Sequence, residues 1–227
     1  MRKTSLAVLL CVFAAGPAMA DLTVNIDFQP AGAATYTGVG MAADPGTYWN
    51  AMGTGAASNL LASDGSTATD IDVSTTYTQA YSNSGNNLLR DRLIWAPPTH
   101  EGTFDNPTIN ISGLDASLTY NIYIYAGYYG QTYRIDGVDK SLTGTGWNDN
   151  QPSWVEGTQY VSFLGVNPAG GNLDIDVFNV GIDTTPYGDS PSTVVSGMQI
   201  QAVPVPGAIL LGMIGLSVVG MKLRKRA

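Results

Sequence analysis

A single cysteine, Cys11, and a single histidine, His100, are all that this chain of 227 residues holds of either type. One cysteine allows no internal disulfide framework, and one histidine without cysteine partners does not make the usual nitrogen and sulfur shell of zinc. Glutamate is confined to Glu101 and Glu156. Cations are scarce too: Arg2, Lys3, Lys222, Arg224, Lys225 and Arg226 lie at the ends, leaving Arg90, Arg92, Arg134 and Lys140 for everything between. All eighteen acids fall between Asp21 and Asp189, so four cations against eighteen carboxylates give that stretch a net charge of −14. Such a surface repels phosphate backbones, which excludes nucleic acid as a partner, whereas divalent cations and neutral sugars are compatible with it. A Ser-His-Asp relay lacks its G-x-S-x-G elbow, and His100, two residues after Pro97-Pro98, reads as a loop histidine. Eighteen acids supply carboxylate pairs without singling any out, so a polysaccharide hydrolase is the remotest reading and no catalytic residue is expected.

What is present at the two ends speaks of export. Ala208 to Met221 contains no ionisable group, and counting back to Val203 makes nineteen uncharged positions, close to the roughly 20 that one helix needs to cross a hydrocarbon core. The pattern predicts a transmembrane helix over about 207–223, stopped by Lys222, Arg224, Lys225 and Arg226. These cations keep the C-terminus inside and place the preceding chain outside the cytoplasm. A buried core helix is the alternative, but it has no use for a terminal basic cluster. At the other end Arg2-Lys3 precede the apolar stretch Leu6 to Ala15, and Ala18-Met19-Ala20 is the small-x-small pattern that signal peptidase accepts. Cleavage there removes Cys11 and leaves Asp21 as the first residue of a cysteine-free chain. The division is then a signal peptide over 1–20, an exported domain over 21–202 and a tail over 203–227.

Signal peptide, exported body, the motif Val203-Pro204-Val205-Pro206-Gly207-Ala208, an apolar span and a basic end together resemble the PEP-CTERM class of exported bacterial proteins. Val205 stands where that class usually has glutamate, so the tail is similar to its Val-Pro-x-Pro-Gly-Ala variant. The resemblance implies an exosortase, a membrane protease that cuts near the motif and passes the body to a surface or extracellular acceptor. The expected partners are then signal peptidase, the exosortase and the inner membrane.

The body, about 180 residues long, is enough for one domain with a real core. Glycine, Thr, Ser, Asn, Asp and Tyr are abundant and no helical period is sustained before Val203, which favours strands and turns. Leu22, Val24, Ile26 and Phe28 alternate with Thr23, Asn25 and Asp27 as in a half-buried strand. Leu118, Tyr120, Ile122 and Ile124 do the same, and Thr108 to Ile111 is a further apolar run. Tyr133 to Lys140 reads as a hairpin about Asp136-Gly137. Gln159 to Val166, Leu173 to Val180 and Val194 to Gln201 complete the set. Asn87 to Leu93 fits a helical turn or an irregular strand equally, and residues 29 to 70 are expected as ordered loops, with a short strand at Ile71 to Ser74. These features predict an all-β, antiparallel β-sandwich. The opening Val24 to Phe28, the middle Ile109 to Leu114 leading into Tyr120 to Tyr125, and the closing Ser196 to Ile200 resemble a jelly-roll, galactose-binding-like sandwich. Such a likeness implies no function by itself.

Two kinds of binding site remain. Asp70 and Asp72 on one strand face, Asp174 and Asp176 on another, and the loop pairs Asp105-Asn106 and Asp149-Asn150 offer hard oxygens to a structural calcium, although alternating Asp on a strand is also simply a wet face. No cofactor is otherwise expected. Tyr128-Tyr129 between glycines, and Trp147 and Trp154 bracketing amide and carboxylate groups, could stack on sugar faces while neighbouring polar groups take hydroxyls. Bulky plugs at the ends of a sandwich would use the same residues. The reading that follows is a non-catalytic exported surface or matrix protein, with a module that binds extracellular polysaccharide as the alternative.

Overall fold

The computed structural model describes residues 22–43, 45–82, 88–95, 106–127, 130–143, 154–179 and 193–203. Among them no helix occurs, and the chain forms β1 (Thr23–Phe28), β2 (Asn50–Met52), β3 (Ala56–Ala57), β4 (Asp72–Thr75), β5 (Gln79–Ser82), β6 (Asp91–Trp95) and β7 (Thr108–Ser112). There follow β8 (Thr119–Tyr125), β9 (Gln131–Ile135), β10 (Val138–Leu142), β11 (Tyr160–Val166), β12 (Leu173–Asn179), β13 (Thr193–Val195) and β14 (Gly197–Val203). A five-stranded sheet runs β11-β8-β14-β1-β2, a six-stranded sheet β10-β9-β12-β7-β4-β3, and a small third sheet β13-β6-β5. Pairing is antiparallel except between β1 and β2.

The period-2 pattern explains why the two large sheets face one another. Val24, Ile26 and Phe28 of β1, Ile122 and Ile124 of β8, Phe163 of β11, and Met198 and Ile200 of β14 meet Ile109, Ile111, Tyr133, Ile135, Ile175 and Val177 from the six-stranded sheet in one buried cluster. Each such side chain removed from water contributes about 1.5–3 kcal/mol. Leu93, Val194 and Val195 close that core from the third sheet. The architecture is therefore all-β with antiparallel sheets layered as in a β-sandwich. At the expected hairpin, Asp136 and Gly137 have φ of +50° and +75°, the paired positive values that a two-residue connection demands.

Four expectations are refined. Of the stretch from Asn87 to Leu93, residue 87 lies outside the described residues, residues 88–90 form a turn and β6 begins at Asp91. The stretch from Val194 to Gln201 is two strands, because the chain breaks at Ser196 and passes from the third sheet into the five-stranded one. Residues 29 to 70 carry the short strands β2 and β3 amid ordered loop. And β1, expected to be half-buried, is not: every one of its residues is buried, as is every residue of its neighbour β14 up to Ala202. A covering layer accounts for this, made by the described residues of the stretch 29–49 and, over Gly197, by Leu88.

The polar residue Gln131 shows how the third sheet is held. Its side-chain amide copies a strand partner: Oε1 accepts from Val194 N at 2.7 Å and Nε2 donates to Val194 O at 2.5 Å, with Tyr133 Oη donating to the same carbonyl at 2.7 Å. A buried amide so satisfied ties β9 to β13 without a backbone ladder.

Candidate functional site

Register places the outward-pointing residues of the five-stranded sheet in rows. Tyr160, Tyr125, Gly197 and Asp27 form one row across β11, β8, β14 and β1; Ser162, Tyr123, Gln199 and Asn25 form the next; Asn121, Gln201 and Thr23 the third. The aromatic end of this face and its amide end are both covered, wholly or in part, by a strap of chain from Gln29 to Trp49.

At the amide end, side chains capture strap backbone. Gln199 Oε1 accepts from Met41 N at 2.7 Å and Ala42 N at 3.0 Å, while its Nε2 donates to Asn25 Oδ1 at 2.8 Å. Asn25 Nδ2 in turn donates to Pro45 O at 2.6 Å and Tyr48 O at 3.0 Å, and Gln201 Nε2 donates to Ala43 O at 2.7 Å. The glycine at position 40 has its reason here. A Cβ on Gly40 would lie 2.2 Å from Gln199 Oε1, so a side chain there would push the strap off the amide that holds it.

At the aromatic end lies a second buried cluster of Trp49, Leu88, Leu89, Tyr125 and Tyr160, flanked by Tyr36, Tyr123 and Trp154. Tyr125 is its hub. Trp154 meets it edge-on with ring centres 4.9 Å apart, Trp49 at 6.2 Å, and Tyr160 tilts beside it at 5.9 Å. Tyr125 Oη also donates to Gln199 Oε1 at 2.5 Å and accepts from Met41 N at 2.7 Å, which joins the two ends of the face. Both indoles hold the strap: Trp49 Nε1 donates to Gly38 O at 2.9 Å and Trp154 Nε1 to Val39 O at 3.2 Å. Trp154, Tyr123 and Tyr36 remain half-exposed, so the ridge presents ring surface to solvent.

Asp27, at the far end of the first row, is the electrostatic anomaly. Its Oδ2 accepts from Tyr36 N at 2.7 Å, but its Oδ1 has no donor and the residue is 1% exposed. Burial pushes its carboxyl up to about 7; the Tyr36 amide pulls the other way, and the nearby charge of Asp91 adds to the rise. Asp91 on β6 is itself raised by burial, opposed by a hydrogen bond from Ser82 and by the Arg92 charge.

Because the folded value of Asp27 lies above the unfolded one, the native chain holds a proton that the unfolded chain releases between about pH 4 and 7. The contribution is whole below pH 4 and is lost as pH rises through 7. Urea unfolding in chelated buffer should show the Asp27→Asn chain lacking a decline on the order of 3 kcal/mol that the native chain undergoes between pH 4 and 8. Equal pH slopes for the two chains would exclude this role.

The residues singled out in the sequence are distributed unevenly. Trp154 is on the ridge. Tyr128, Tyr129 and Trp147 lie outside the described residues, as do His100, Asp105, Asp149-Asn150, the signal segment with Ala18, Ala20 and Asp21, and the tail from Pro204 through Lys222, Arg224, Lys225 and Arg226. Of the described residues, none forms a helix long and apolar enough to cross a membrane. Val203, the first residue of the tail motif, ends β14 opposite Thr119. Asp70 is exposed in a bend before β4, and Asp72 Oδ1 accepts from Asn59 N at 2.7 Å. Asp174 and Asp176 line a 330 Å³ groove with Arg134, Asp136 and Asn172. Asp174 Oδ1 accepts from Asn110 Nδ2 at 2.6 Å and Asp176 stands opposite Arg134, so a guanidinium already supplies positive charge where a cation was expected. No group of three or more His, Cys, Asp or Glu side chains gathers among the described residues.

The network of Asn25, Asp27, Gln199 and Gln201 was missed as a unit. The available signal was the residue type: the polar positions of these strands carry amides and one Asp in place of the Lys, Arg or Glu usual on a wet face. Amides tolerate burial when both ends find partners.

No protein-family model matches the chain, and no curated protein matches it either. Among solved structures it is similar to the crystal structure of protein YXIM from Bacillus subtilis, with 14% identity and a TM-score of 0.42 over 80% of this chain and 40% of that one. The chain thus spans well under half the length of that protein.

Proposed function

We propose that the chain is a non-catalytic exported protein whose jelly-roll body is carried through the inner membrane by its signal segment. The PEP-CTERM-like tail then holds it there until an exosortase hands it to the cell surface or extracellular polymer. The observation that carries this reading is the order of parts within one sequence: Arg2-Lys3 and Ala18-Met19-Ala20 at the head, and at the tail Val203 to Ala208, an uncharged run and Lys222 to Arg226. The acidic body agrees with it, and so does the closed polar face of the five-stranded sheet, whose donors and acceptors are spent on the chain's own strap. In a host that has an exosortase, the full chain should yield a shorter product, lacking the tail, outside the inner membrane. Pro204→Ala together with Pro206→Ala should leave it membrane-bound. A wild-type chain that stays full length in the inner membrane would count against sorting.

The half-exposed ring surface of Trp154 and Tyr123 favours a second reading, in which the body also binds polysaccharide at the end of the sandwich where residue 154 enters the fold. On a glycan array the full chain would then retain a polysaccharide that Trp154→Ala and Trp147→Ala each release with about tenfold weaker affinity. An array without a bound glycan removes this reading and leaves the sorting one standing.

A further inference from the structure

The strap closes only part of the outer face of the five-stranded sheet. It reaches across β1 and β14, where Asn25, Gln199 and Gln201 spend their amides on its backbone. Along β8 the cover stops: Thr119, Asn121 and Tyr123, which share that face by register, are half-exposed, while Tyr120, Ile122 and Ile124 between them are buried. From Thr119 to Tyr123 this uncovered lane is about 14 Å long. Its borders are fixed by hydrogen bonds. On one side Met41, exposed on the strap, has its backbone held by Gln199, the partner of Tyr123 in β14. On the other, Glu156 Oε1 accepts from Ser162 N at 3.2 Å and Ser162 Oγ at 2.6 Å, and Ser162 stands opposite Tyr123 in β11. At the end beyond Tyr123, Trp154 stands edge-on to Tyr125 with its indole nitrogen tied to Val39 O.

We propose, building on the polysaccharide reading of Trp154, that the lane along β8 binds a neutral polysaccharide whose rings stack on Tyr123 and Trp154 and whose hydroxyls bond to Asn121, Thr119 and Glu156. The floor alternates hydroxyl, amide and phenol with no aliphatic side chain. That suits a sugar, which presents apolar ring faces and hydroxyls together, better than the apolar centre of a protein partner. Among the described residues Asn121 Nδ2 donates only to Gln201 Oε1, at 3.2 Å, so its second hydrogen is available to a ligand hydroxyl. Stacking costs little ordering because the rings are already placed, Trp154 by Val39 O and Tyr125, and Tyr123 beside Tyr160 with ring centres 6.4 Å apart. Charge decides the class of glycan. Of the four cations between Asp21 and Ala202, Arg134 is bound to Asp139, Lys140 lies 3.7 Å from Glu156, Arg92 is 6% exposed and Arg90 is half-buried. The border of the lane carries the carboxylate of Glu156 and the whole stretch a net charge of −14, so a uronate or sulfated chain is repelled where a neutral one is not.

The test uses the full chain in detergent on a glycan array that carries neutral polysaccharides beside uronate-bearing and sulfated ones. A neutral glycan should be retained and the acidic ones should not, and its affinity should change less than about twofold between about 0.05 and 0.5 M salt, since contacts without ion pairs are barely screened. Tyr123→Ala should weaken binding about tenfold, whereas Tyr123→Phe, which keeps the ring, should change it less than about twofold. Should Tyr123→Ala fail to fold, hydroxyl-radical footprinting of the wild-type chain reads the same contact. Bound glycan should shield Tyr123 and Met41 and leave Tyr81, exposed on β5 in the third sheet, fully labelled. Retention of acidic glycans, or a neutral glycan that depends on Trp154 but neither weakens in Tyr123→Ala nor shields Tyr123 and Met41, would overturn this assignment while leaving the polysaccharide reading of Trp154 in place. An array without a bound glycan would overturn both.

Discussion

Gly113→Ala is expected to destabilise the chain by at least about 4 kcal/mol, a large share of the 5–15 kcal/mol that holds a domain together. Gly113 follows β7 with φ of +76°, and a Cβ there would sit 1.8 Å from Asp70 O and 2.7 Å from Asp70 C. The first feature alone costs about 1–2 kcal/mol for an L side chain. The second cannot be relieved by a rotamer change, because the obstacle is backbone. Residues 70 and 71 would have to move away, and they lead into β4, whose Asp72 pairs with Ser112. A control separates the two effects: Gly137 has nearly the same φ, +75°, with nothing within 4 Å of its virtual Cβ. In urea titrations Gly137→Ala should lose only the conformational part. If the two variants prove equally stable, the close approach at Asp70 has no energetic weight.

Gln199→Leu is the second large effect. The substitution keeps the volume and deletes both ends of the amide at a residue with no exposed surface. Met41 N, Ala42 N, Tyr125 Oη and Asn25 Oδ1 all lose a partner at once. Each stranded buried group costs about 1–3 kcal/mol, and partial relaxation of the strap toward water limits the sum, so a loss of about 3–5 kcal/mol is expected. Its signature is local. Amide hydrogens of Met41 and Ala42 should exchange at least a hundredfold faster, whereas those of β12 and β7, in the opposite sheet, should change only in step with global stability. Unaltered protection at Met41 would mean that something other than Gln199 secures the strap.

Legibility from sequence followed the physical range of each signal. Alternation over five or more residues found β1 and β8, because period 2 is imposed by the pleat itself, and Asp136-Gly137 marked its hairpin because few dipeptides accept two positive φ values. The short strands β2 and β3 escaped, since two or three residues hold no period. The break at Ser196 escaped as well, because Val194 to Gln201 keeps an unbroken pattern while changing sheets. The larger misreading concerned β1. Polar alternation marked Asn25 and Asp27 as a solvent face, whereas they, like Gln199 and Gln201 on the neighbouring β14, are covered by the strap, whose glycines and alanines carry no periodicity of their own. Nor was the aromatic cluster foreseen: Tyr36, Trp49, Tyr125, Trp154 and Tyr160 are scattered along the sequence and meet only through register. Trp154 was chosen for its chemistry, and its edge-on contact with Tyr125 depends on a pairing between β8 and β11 that no local pattern reveals.

β14 occupies the middle of its sheet, between β8 and β1, and runs up to Val203, immediately before Pro204. Tension arriving from the C-terminal residues therefore enters lengthwise along an interior strand. It is bonded on both sides, to β8 and to β1, so a pull along its axis loads two ladders in shear at once instead of parting a single edge ladder bond by bond. A body dragged by that end would resist as a unit, which is the mechanical behaviour that a tethered or polymer-attached protein needs in flowing liquid.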